Sequence, residues 1–85
     1  MRAERAKIVK ANFQHNREGY GCDKIYKVGR QLYNYDNKKI YEIWFYKGEN
    51  GNESYAEITL EDGTKIIQFN LNQVVLESSG NEVRM

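Results

Sequence analysis

Apolar and polar positions alternate most regularly between Tyr55 and Leu71, in the stretch YAEITLEDGTKIIQFNL. A period of two marks a strand with one buried face. Asp62-Gly63 lies between two such runs, and a two-residue Asp-Gly turn of type I′ has the twist that joins antiparallel strands. Pairing Glu61 with Thr64 then sets Ile58 opposite Ile67 and Ala56 opposite Phe69, with Tyr55, Glu57, Thr59, Gln68 and Asn70 on the polar face. The rest of the chain is organised around this hairpin.

Residues 39–47, KIYEIWFYK, form the most apolar run. Tyr41, Ile43 and Phe45 share one face, and Ile40, Trp44 and Tyr46 the other. Apolar residues on both faces predict a central strand or one covered on both sides. Residues 24–35, KIYKVGRQLYNY, read as a strand bent or bulged at Gly29. Asp36-Asn37 is a second two-residue turn candidate, because both residue types tolerate positive φ. That register pairs Tyr35 with Lys38 and Tyr33 with Ile40, and lays Trp44 over Gly29.

The N-terminal stretch carries two patterns. Ala3 to Lys7 are good helix formers, whereas Lys7, Val9, Ala11 and Phe13 share a strand face. The reading is a short frayed or helical start, then a strand from about Lys7 to Gln14. Residues 15–23, HNREGYGCD, contain the breakers Gly19 and Gly21 and read as a loop. Residues 48–54, GENGNES, form another loop. NQVVLES suggests a short closing strand.

These elements predict an all-β fold with, at most, a short N-terminal helix. Four or five antiparallel strands would form a small barrel or strongly bent sheet, SH3-like or Sm-like in kind. The alternative is an α+β arrangement, an antiparallel sheet covered by an N-terminal helix. Residues 1–77 make one small domain, and 78–85 read as a flexible tail.

At 85 residues, the chain has room for one modest core. No Pro bars any strand from a central place. The single Cys forms no internal disulfide and favours a reducing compartment. The N-terminus lacks the apolar run of a secretory signal, and no stretch reaches the roughly 20 apolar residues of a spanning helix. A soluble, cytoplasmic protein without a membrane partner is expected. Lys, Asn, Ile and Tyr number 8, 9, 7 and 7; their AT-rich codons suggest a low-GC bacterium or its phage as the source.

Net charge is +1 but unevenly spread. Residues 1–39 carry ten Lys/Arg and four Asp/Glu, or +6; residues 40–85 carry three and eight, or −5. Such asymmetry can mark a basic patch, or two solvated regions that folding interleaves.

Catalytic chemistry finds little support. His15 and Cys22 occur once each and lie seven apart in one predicted loop, with Asp23 as an orienting group. Nucleophilic catalysis also needs a held base and oxyanion donors, and a small Cys ordinarily packs as a hydrophobe. Zinc needs about four N/S ligands, the 48–54 loop lacks EF-hand spacing, and Gly19-Tyr20-Gly21 precedes a strand, not the helix of a phosphate loop. The reading is a non-enzyme without cofactor or metal.

Two binding functions remain. The first is a protein-binding module, a small regulator or inhibitor, motivated by seven Tyr and one Trp with no catalytic set. The second is a single-stranded nucleic-acid-binding barrel, motivated by tyrosines interleaved with cations from Arg17 to Lys38; near-neutral net charge weighs against it. The binding residues expected are Arg17, Tyr20, Tyr26, Arg30 and Tyr33. Core packing of Tyr26 and Tyr33 is the plain alternative, and Tyr41, Ile43 and Phe45 are assigned to the core. A homodimer is a further expectation if the sheet leaves an apolar face or edge uncovered.

Overall fold

The structure, a computed structural model, describes residues 5–17 and 20–84, and for 14–17 and 20–24 the backbone alone. Its strands are β1 (Arg5–Arg17), β2 (Tyr20–Lys27), β3 (Gln31–Leu32), β4 (Lys38–Tyr46), β5 (Tyr55–Leu60), β6 (Lys65–Gln68), β7 (Leu71–Leu76) and β8 (Glu82–Arg84). A single 3₁₀ turn, Tyr33–Tyr35, follows β3, and no α-helix occurs among the described residues.

All pairings are antiparallel, in the order β6-β5-β4-β1-β7-β8, with β2 on β1 and β3 on β4. The path is open, since β6 and β8 end it without meeting. β1 makes the sheet fold over. Arg5 to Ile8 pair with β4, and Lys10 to Arg17 pair with β2, while β7 takes the opposite edge. Because β4 and β2 share one edge in succession, β4 must leave β1 beyond Ile43. The residues so enclosed form the core, with Ile8, Ile40, Ile43, Ile58, Leu60 and Val74 as its largest fully buried side chains.

Register shifts between Ile8 and Lys10, and between Ile40 and Glu42, help the sheet bend. They also reset the alternation. Ile40 and Ile43, three apart, are both buried, and Tyr41 is 69% exposed. Tyr41 is therefore not a core residue: the shift beside it turns it outward.

The central hairpin forms where expected, in a different register. Ile58 lies opposite Ile66 and Ala56 opposite Gln68. Gly63 has φ 91°, but Asp62 does not have positive φ, so a type I′ turn is excluded. The loop holds three residues, Glu61 to Gly63, closed by Leu60 N–H to the Thr64 carbonyl at 2.8 Å and Gly63 N–H to the Leu60 carbonyl at 2.9 Å. The Asp62 carboxylate accepts the Thr64 N–H at 3.0 Å, which lowers its pKa from the ordinary 3.8. The added loop residue exchanges the faces of the return strand. Ile66 is buried, and Ile67 and Phe69 are exposed. Gly63→Val should destabilise by about 1 kcal/mol or more, because a β-branched residue resists this left-handed conformation. A denaturant midpoint equal to wild type would contradict that assignment.

Other elements also differ from expectation. Arg5 and Ala6, in the expected frayed or helical start, are already strand; residues 1–4 lie outside the described region. Residues 15–17 and 20–23 continue the β1–β2 ladder, with Gly21 opposite Asn16, because neighbouring pairs hold a glycine that local propensity alone would release. The 24–35 strand stops at Lys27, and Gly29, at φ 92°, stands in a turn instead of facing Trp44. Within the stretch 78–85, read as a flexible tail, Glu82–Arg84 pair with Val75, Val74 and Gln73.

Candidate functional site

Three of the five expected binding residues meet at one end of the folded sheet. Tyr26 lies opposite Ala11 and sets its ring edge-on to Phe13, with centroids 5.1 Å apart. It is only 4% exposed, so its body belongs to the core. After Lys27 the chain turns, with Arg30 N–H on the Lys27 carbonyl at 3.0 Å. The Arg30 carbonyl in turn accepts the Ile40 N–H at 2.9 Å. β3 follows and buries Leu32.

The next five residues form the loop to β4, since Leu32 pairs with Lys38 and Gln31 with Lys39. Tyr35 and Lys38 therefore do not pair, nor do Tyr33 and Ile40. Asp36 and Asn37 do take left-handed conformations, at φ 55° and 58°, but they close a 3₁₀ turn rather than a two-residue hairpin. Asn37 N–H returns to the Leu32 carbonyl at 3.1 Å. The turn holds Tyr33 81% exposed, with Tyr35 also at the surface.

Together these segments enclose a pocket of about 380 Å³, completed by Gln31, Asn34 and, from β6, Gln68. Tyr26 and Leu32 supply its buried lining, and Arg30, Tyr33 and Tyr35 its exposed lining. Arg30 is the one charged residue in the lining. Its Nη1 donates to the Ile25 carbonyl, and among the described residues no carboxylate forms an ion pair with it.

Arg17 and Tyr20 are not brought to this pocket. They pair with each other at the far end of the β1–β2 ladder, and six residues of strand, about 20 Å, separate Tyr20 from Tyr26. Their side chains lie outside the described region. The same ladder sets His15 directly opposite Cys22 along the backbone. Leu32, Tyr35 and Gln68 are lining residues that the sequence does not single out as a site. The left-handed pair Asp36-Asn37 was the available signal for an exposed loop there.

A second hollow, about 500 Å³, lies beside the 48–54 loop. Tyr55 stacks on Tyr46 at 5.0 Å and meets Phe69 at 5.5 Å. Its charges are mixed, with Lys47, Glu49 and Glu53 in the lining, and the Glu53 carboxylate already accepts the Asn70 N–H at 2.7 Å. Charges of both signs line this hollow, whereas a single cation lines the first.

Folding also interleaves the two charged halves. Lys7 stands 3.9 Å from Glu42 and 3.8 Å from Glu77, and the Arg5 guanidinium lies 4.4 Å above the Trp44 ring. On the outer face, Lys65 bonds Glu57 at 3.0 Å, which raises the Lys65 pKa above its ordinary 10.5. Exposed pairs of this kind stabilise little, but those of Lys7 join one cation of the basic first half to two acids of the second. No helix among the described residues is long and apolar enough to cross a membrane. The chain matches no protein-family model, no curated protein and no solved structure.

Proposed function

We propose that this chain is a non-enzymatic binding module, a small cytoplasmic regulator or inhibitor that grips another protein at the Tyr26–Tyr35 pocket. The observation that carries the reading is the exposed pair Tyr33 and Tyr35 beside Arg30, which has no acidic partner among the described residues, over a lining of buried Tyr26 and Leu32. Tyr and Arg dominate binding hot spots because they offer large contact area with a polar handle. Tyr33 is too exposed to contribute much to the core, so the plain explanation of core packing holds for Tyr26 and fails for Tyr33.

Selection from a displayed library of random decapeptides tests this. Wild type should enrich binders, and Tyr33→Ala, with unchanged melting temperature, should weaken them tenfold or more, as expected of a hot-spot residue. Failure to enrich any peptide, or equal binding by the variant, would sink the reading. The nucleic-acid alternative draws on the same rings and guanidinium. A random oligonucleotide bound more tightly than any selected peptide, with steep salt dependence, would replace the first reading by the second.

A further inference from the structure

We infer that the pocket is specific for a carboxylate: an Asp or Glu side chain, next to an apolar or aromatic residue, in an extended segment of the partner. This rests on the binding reading above and names its ligand.

Charge is the first argument. Arg30 is the sole charged residue of the lining, and the ion pairs among the described residues engage Lys7 and Lys65 elsewhere. A guanidinium beside buried apolar surface, with no acid paired to it among the described residues, favours an incoming anion because that surface screens the attraction less than water does.

Geometry is the second. The Arg30 backbone is held on both sides, by Lys27 and by Ile40, and its Nη1 is tethered to the Ile25 carbonyl. One of five N–H donors is thereby engaged, and the others keep the planar fork that suits a carboxylate. Gln31, Asn34 and Gln68 add amide groups around the same space. A single guanidinium fits a monoanion; phosphate-reading sites gather clusters of Arg.

The extended form follows from β2. Among the described residues it pairs with β1 alone. Val28 N–H bonds back to Val9 in β1, whereas the Ile25 carbonyl meets Arg30. Alternation therefore turns the backbone groups of Asp23, Ile25 and Lys27 to the outer edge, where Arg30 already holds the Ile25 and Lys27 carbonyls and the N–H groups of all three residues and the Asp23 carbonyl face outward. A peptide lying along that edge would bring a side chain to the pocket at its end, the mode of strand addition. The cavity, near the lower limit of typical ligand sites, has room for a few side chains only.

The test is the same peptide selection run on wild type, Arg30→Gln and Arg30→Lys. Gln retains a donor for the Ile25 carbonyl and removes the charge, so a fold effect and a charge effect separate. The wild-type pool should be enriched at least threefold in Asp and Glu next to apolar or aromatic residues. Arg30→Gln should still select peptides through Tyr33 but lose the acid preference, and Arg30→Lys should keep part of it. Changing the acid of the best peptide to its amide should weaken wild type tenfold or more and leave Arg30→Gln unaffected. A pool without acid preference, an unchanged preference in Arg30→Gln, or a phosphoserine peptide bound tenfold tighter than its Glu form would overturn the carboxylate assignment alone. An empty pool would overturn the binding reading and this inference together.

Discussion

Ile58→Ala is expected to cost about 3–4 kcal/mol, in the upper part of the range for removing a branched side chain from a packed core. Ile58 is fully buried, and its neighbours across the sheet are Ile43 on β4 and Ile66 on β6, both buried. Three isoleucines thus cross three adjacent strands in one row. Backbone pairing on both sides of β5 keeps the strands from closing over the space, so the cavity persists. A small domain has roughly 5–15 kcal/mol in total. The melting temperature should therefore fall on the order of 20 °C, at about 4–8 °C per kcal/mol for a chain of this length. Ile67→Ala is the control. Ile67 is 46% exposed on the outer face and should cost under about 1 kcal/mol. Thermal and urea melts followed by circular dichroism give both values. An Ile67→Ala loss equal to that of Ile58→Ala would show that Ile67, not Ile66, faces the core, and the three-residue loop would be wrong.

That control marks where the sequence was legible and where it was not. The strands at Tyr55 and Lys65, the central place of β4 and the closing strand β7 follow from alternation and turn residues, because burial of one face requires them. The register does not follow. Asp-Gly serves a two-residue type I′ turn and equally a type I turn with a left-handed glycine after it, and only the φ of Asp62 separates them. A difference of one residue moved Ile67 and Phe69 from the core to the surface. Tyr41 failed for the related reason that the neighbouring register shift is fixed by how β4 bends away from β1, a contact no local pattern contains.

The site divides in the same way. Tyr26, Arg30 and Tyr33 were legible as rings and a cation near a turn. Arg17 and Tyr20 were grouped with them because Gly19 and Gly21 read as a compact loop. The ladder instead extends through Gly21 and carries Arg17 and Tyr20 away. Gln68 reaches the pocket from a strand some 40 residues later in the chain, which only tertiary folding can specify.

Gly48→Ala should have the second large effect, about 2–3 kcal/mol, and its cause is contact rather than backbone conformation. A Cβ at Gly48 would overlap the Asn52 carbonyl oxygen and stand 2.7 Å from both the Glu53 carbonyl carbon and the Ser54 nitrogen. All three are backbone atoms of the same loop, so no side chain can swing aside. The loop is held by Asn52 N–H to the Glu49 carbonyl at 3.0 Å and by Gly48 N–H to the Ser54 hydroxyl oxygen at 2.9 Å. Relief of the overlap must loosen those bonds and displace Glu53 from Asn70, and overpacking of this kind costs about 1–3 kcal/mol. Gly51→Ala separates the two sources of strain. It has φ 84° and nothing within 4 Å of an added Cβ, so it should lose only about 1 kcal/mol. Amide chemical shifts in Gly48→Ala should change over residues 47–55 and 69–70 and remain fixed around Tyr26 and Arg30. Peptides selected by wild type should then bind the folded variant with unchanged affinity, because the two hollows share no residue. Equal costs for Gly48→Ala and Gly51→Ala would mean that the loop yields without resistance, and the close approach of Gly48 to Asn52 would not be what shapes it.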